Sequence, residues 1–216
     1  MNSSSLVNYF ISQGVPYDTV LLLLMLPLII TLIAFLRQVV GIRAFGIYTP
    51  SIVMFAFWAI GIKYGIAIFV SVIFFGTLAR FLLKRLRILY LPRVAITLSV
   101  VALSILAILV IGGYFRRKGL ATVSIFPLLI MVTIVEKFVA TQIEKDGKTA
   151  FFLAMETLVI SVGGYFILRW ELLIHFIAAY PWIILFTFPI NIILGKWTNF
   201  RLTEYLRFRE ITKYIS

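Results

Sequence analysis

Apolar residues fall in seven blocks of spanning length, near 19–36, 45–62, 64–83, 94–112, 120–135, 149–168 and 172–194, with polar and charged residues gathered between them. A helix crosses the hydrocarbon core with about 20 apolar residues, and about 17 suffice. The blocks therefore predict an all-α, polytopic membrane bundle of seven transmembrane helices. The second and third are joined only by residues 61–64, which reads as a tight helical hairpin. This divides the chain into a short extracytoplasmic N-terminus (1–18), a transmembrane domain (19–194) and a cytoplasmic amphipathic tail helix (195–216).

One stretch breaks the pattern. From Phe126 to Thr157 an apolar run containing Pro127 passes through Glu136 and Lys137, which end the fifth helix, and crosses the charged turn Glu144 to Lys148. It then re-enters apolar sequence carrying Glu156. A carboxylate inside a spanning helix costs at least a few kcal/mol unless paired, protonated or turned toward water or protein. Two readings of Glu156 follow: a carboxylate handling protons or cations in an aqueous cavity, or a structural one bonded to a neighbouring helix. Arg80, near the end of the third helix, is the expected partner, because its fork suits two-point contact with a carboxylate. Glu156, Arg80 and Glu136 form the candidate intramembrane polar centre. Gly163 and Gly164 share the face of Glu156 and invite close packing.

Charge adds an orientation. Counted over alternate connections, Lys and Arg number fifteen on one side and five on the other. Cytoplasmic loops hold the excess, which predicts an outside N-terminus and a cytoplasmic C-terminus. The net charge of +12 thus needs no nucleic acid, although anionic lipid headgroups remain open as partners beside Arg80 to Arg93. Hydrophobic residues make up 62% and charged ones 13%, with a mean hydropathy of +1.10, which excludes a soluble core. Without cysteine, and with His175 as the one histidine, thiol chemistry is excluded and no metal or other cofactor is expected. No Ser-His-Asp set, HExxH, phosphate loop or dinucleotide fingerprint occurs, so an enzyme is not the expected class.

The segments around Pro50 and Pro127 each place a proline early in an apolar run, and FFGTL at 74–78 answers AMETL at 154–158. Helices 1–3 and 4–6 thus read either as an inverted repeat with a seventh helix added or as chance likeness among apolar runs. The two prolines read as helix entries or as breaks lining a cavity. In the tail, Arg201, Glu204, Arg207, Glu210 and Lys213 alternate in sign three apart, supporting a helix at the membrane surface.

The runs LPLIITLIAFLRQVVGIRAFGIYTPSIVMFAF (26–57), LPRVAI (91–96), FPLLIMVTIVEKF (126–138) and GKWTNFRLTEYLRFRE (195–210) resemble the bacterial seven-transmembrane module usually fused to an inactive transglutaminase-like domain. The resemblance implies a soluble domain ahead of the helices and outside the cytoplasm; the chain reads as a stand-alone or truncated version. It also implies neighbouring ATP-grasp ligases, hence peptide or glutamyl-conjugate metabolism, and supplies no catalytic residue. The run GKTAFFLAMETL (147–158) is more weakly similar to the small membrane subunit of capsular poly-gamma-glutamate synthesis. Two functions are carried forward. One is a non-enzymatic scaffold for a separate transglutaminase-like protein and an ATP-grasp ligase. The other is a transporter of a small anionic peptide or glutamyl polymer, using Glu156. Oligomeric state is not legible.

Overall fold

The computed structural model describes residues 5–86, 88–114 and 125–196. The expected tail helix with Arg201, Glu204 and Arg207 lies outside them. The described chain is helical throughout: α1 (Ser5–Ser12), α2 (Tyr17–Phe35, continued by a π-turn Leu36–Val40), α3 (Tyr48–Ile60), α4 (Ile62–Leu83), α5 (Tyr90–Tyr114), α6 (Ile125–Glu144), α7 (Gly147–Leu168), α8 (Glu171–Ala179), a 3-10 segment Pro181–Phe186 and α9 (Thr187–Lys196). Among the described residues five helices are long and apolar enough to cross a membrane, or six if α8 and Pro181–Lys196 after it count as one bent span. Large apolar side chains such as Leu103, Leu106, Val110 and Ile111 of α5 stand exposed. Such a surface suits hydrocarbon as the solvent.

Three predicted spans are corrected. The block 45–62 yields only the 13-residue α3, about 20 Å long against a core of about 30 Å, because Gly46 and Ala44 adopt left-handed backbone and delay the helix. The block 120–135 becomes Ile125–Glu144, so Glu136 and Lys137 lie inside α6 rather than ending it. Both are good helix formers; a charged pair marks a change of surroundings, not a break in backbone. The block 172–194 breaks by 96° at Tyr180–Pro181. Proline drives the residue before it toward extended backbone, and Tyr180 sits at φ −127°, ψ 66°.

Contacts divide the chain into two compact units, residues 1–43 with 166–216, and residues 44–165. In the first, α2 is the hub on which α1, α8, α9 and the 3-10 segment pack. Its polar tie runs from Asn191, whose Nδ2 donates to Thr31 Oγ1 at 2.7 Å, while Thr31 donates to the Pro27 carbonyl at 2.8 Å.

In the second unit α6 is central, packed by α3, α4 and α5. Met131, Val135 and Phe138 of α6, Phe57 of α3 and Ile68 of α4 are fully buried there. Small residues set the spacing. A Cβ on Gly76 of α4 would stand 2.8 Å from Val135 Cγ1 of α6, and one on Gly164 of α7 would strike the Met54 side chain of α3. Gly163, expected to share that role, is exposed with nothing near it. Directions follow from these contacts. The start of α3 meets the later part of α6, since Phe45 and Phe138 rings lie 6.4 Å apart and Lys137 Nζ reaches Thr49 at 2.8 Å. Gly76 and Arg80 of α4 meet residues 135 and 142 of α6 in turn, so α4 runs parallel to α6, and α3, folded back on α4 with Phe57 against Gly65 and Phe69, runs antiparallel to both. Along α7, residues 157, 161 and 164 meet 45, 50 and 54 in turn, so α7 runs parallel to α3.

Candidate functional site

The backbone from Ala44 to Pro50 enters the second unit without a preceding helical turn, and its polar groups need partners from elsewhere. They come from α7. Glu156 Oε2 accepts the Ala44 N–H at 2.8 Å, and Thr157 Oγ1 accepts the Phe45 N–H at 3.0 Å. Thr157 in turn donates to the Leu153 carbonyl at 2.7 Å. Ser161 Oγ lies 3.0 Å from the Pro50 carbonyl oxygen and 2.7 Å from that of Thr157, a donor for either. Thr49 completes the ring: it donates to the Phe45 carbonyl at 2.8 Å while accepting from Lys137 Nζ.

Ala44, at φ 41°, is the one described non-glycine residue with positive φ. That conformation costs about 1–2 kcal/mol in a residue with a Cβ. The adjoining bonds from Glu156 and Thr157 hold it there. Glu156 stands nine residues past Gly147, so α3 begins about 13 Å along α7 from the α6–α7 turn.

Arg80 is engaged elsewhere. Its Nη2 donates to the Gln142 carbonyl at 2.6 Å. The expected pairing with Glu156 is therefore replaced by two separate bonds, and helix geometry explains it. Gly147 and Phe151 of α7 line the cleft that holds Arg80, whereas Glu156 lies about 180° and 140° around the helix from them. Glu136 is exposed on α6. Pro50 and Pro127 each sit third in their helices, where the missing N–H would have had no intrahelical acceptor. Both are therefore helix entries. His175 is exposed on α8, and among the described residues no three His, Asp or Glu side chains gather closely enough to hold a metal ion.

The cleft around Arg80 is the second polar feature of this unit. It encloses about 470 Å³ between α4, α6 and the start of α7, lined by Thr77, Arg80, Lys84, Gln142 and the rings of Phe81, Phe138 and Phe151. Gln142 is buried, with Nε2 at 3.5 Å from Thr77 Oγ1. In the turn beside it Asp146 caps α7, accepting the Thr149 N–H at 3.0 Å. Hydrogen bonds from the Thr149 side chain and backbone hold the Asp146 carboxyl below its ordinary range.

Sequence reading found Glu156 and Arg80 by their charge in apolar surroundings. It missed Thr157, Ser161 and Gln142, which look like ordinary helix residues. The early glycines Gly41 and Gly46, flanking a polar break before Pro50, were the available signal for the loop.

No curated protein and no solved structure matches the chain. The likeness to the poly-gamma-glutamate subunit gains no support from these comparisons. A sequence model does match, over residues 2–212. The chain belongs to the family described as seven transmembrane helices usually fused to an inactive transglutaminase.

Proposed function

We propose that this protein is a non-enzymatic membrane component of a bacterial envelope system, an inner-membrane anchor with its N-terminus outside and its C-terminus in the cytoplasm. Its partners are a separate transglutaminase-like protein outside and an ATP-grasp ligase inside, in peptide or glutamyl-conjugate metabolism. The observation that carries this reading is the use of Glu156. Its carboxylate holds the Ala44 backbone, the work of a structural residue. The family's usual fusion to an inactive transglutaminase supports a partner of that kind, and the fifteen-to-five basic asymmetry supports the orientation.

One observation favours transport of a small anionic peptide or glutamyl polymer instead. The hairpins α3–α4 and α6–α7 run in opposite senses, α3 against α6 and α4 against α7, as inverted repeats do in secondary transporters. The test is site-specific photocrosslinking in cells expressing the protein with a tagged transglutaminase-like protein, alongside uptake of a labelled glutamyl peptide into proteoliposomes. Specific crosslinks without uptake support the anchor. Uptake lost in Glu156→Gln, with the fold intact and no crosslink, overturns it. Reporter fusions after Gly147 and after Lys118 test the orientation: cytoplasmic and external signals respectively are expected, and the reverse would refute it.

A further inference from the structure

The cleft at the end of α4 gathers positive charge that no carboxylate in its lining answers. Arg80 is half-buried, and Lys84, one turn on, is exposed at the mouth. Arg93, at the start of α5, lies close enough for its charge to act on Arg80. Like charges held together at a partly desolvated site repel strongly, an arrangement that a bound anion relieves. Glu144 and Asp146 in the adjoining turn are exposed, and the Asp146 carboxylate is taken up by Thr149.

One further atom marks this place as unfinished. Arg93 Nε is buried without a hydrogen-bond partner, while its Nη2 donates to the Ile88 carbonyl at 3.1 Å. Buried donors are nearly always paired, so an orphan N–H on a cation whose charge acts on Arg80 points to a missing acceptor.

We infer that this cleft binds a phosphate-type oxyanion between Arg80 and Lys84, with Arg93 strengthening the local field. Arginine offers a planar fork matched to phosphate oxygens, and lysine a mobile point charge. A volume of about 470 Å³ exceeds a bare phosphate, and Phe81, Phe138 and Phe151 provide apolar wall for an organic remainder. An acidic lipid headgroup and a soluble phosphate ester share this chemistry.

Full-length protein, delipidated in neutral detergent, is titrated at fixed low salt with dioleoylphosphatidylglycerol, dioleoylphosphatidylcholine or inorganic phosphate, following the thermal midpoint. Binding should raise the midpoint saturably with phosphatidylglycerol or inorganic phosphate, and not with phosphatidylcholine. Saturation by phosphatidylglycerol assigns the ligand to a lipid; saturation by inorganic phosphate alone assigns it to a soluble anion. Each lost cation should weaken binding about fivefold, near 1 kcal/mol per basic residue at such a surface. Arg80→Gln and Lys84→Gln are read together; Lys84 is exposed, so its variant folds even if Arg80→Gln does not. Equal response to phosphatidylcholine, no response to either anion, or unchanged affinity in Lys84→Gln overturns the proposal.

Discussion

Each hairpin of the unit 44–165 opens with a proline third in its first helix, and each lays a glycine of its second helix against the other hairpin: Gly76 on Val135, Gly164 on Met54. Their polar residues diverge. In α3–α4 the ionic group stands at the helix end, where Arg80 faces a cleft and bonds one carbonyl. In α6–α7 it stands two to three turns inside, where Glu156 takes a backbone N–H. Depth explains the difference. Near a helix end a cation keeps access to water, whereas a carboxylate farther in is retained only with a fixed donor. The first hairpin also has the shorter opening helix, 13 residues against 20, and the α7 side chains complete what that helix lacks.

The largest expected effect tests the shared part of this comparison. Gly164→Leu and Gly76→Leu should each destabilise by about 1–3 kcal/mol or more through overpacking, read as a fall in melting temperature in detergent. Gly163→Leu, with nothing within 4 Å, should leave the midpoint nearly unchanged. Equal losses at 163 and 164 would mean that the glycines do not set the helix spacing.

Next comes the part that differs. Glu156→Ala leaves the Ala44 N–H without its acceptor and should cost about 1–3 kcal/mol, with Glu156→Gln milder because an amide oxygen can still accept. Since Arg80 and Glu156 make separate bonds, Arg80→Ala and Glu156→Ala should combine additively within about 0.5 kcal/mol. A double variant milder than either single one would restore the ion pair that the geometry replaces. Thr157→Val removes the neighbouring acceptor and should cost about 1 kcal/mol by the same melting measurement.

The smallest effect lies at the α6–α7 turn. Asp146 is held in its charged form by Thr149, so its cap is present above the ordinary carboxylate range and lost as pH falls through the lowered value. The Thr149 amide resonance should titrate with a midpoint below 3.8 and stop titrating in Asp146→Asn. A midpoint at or above 3.8 would show that the bond does not favour the charged form.

Apolar run length located the bundle and most of its spans, because the solvent for these helices is hydrocarbon and that demand is written in every residue. It also singled out Glu156, since charge at depth requires an answer. The answer itself was not legible: a backbone N–H looks the same at every residue, so nothing in Ala44 names it as the donor for residue 156. Arg80 hides its partner the same way, in the carbonyl of Gln142. The 96° break falls at Pro181, and a proline within an apolar run marks a site for a kink without setting its angle. Glu136 erred in the opposite direction, a charge taken for the end of a helix that continues to Glu144.

The bond from Ala44 to Glu156 joins residues 112 apart in the chain, and that separation has a meaning in time. At about 5–20 residues per second of synthesis, the acceptor emerges from the ribosome roughly 6–22 s after the donor. For that interval the Ala44 N–H lacks the acceptor it has in the finished fold. A chain stalled before α7 would lack the clasp altogether, and synthesis of α7 is the step that can close the loop.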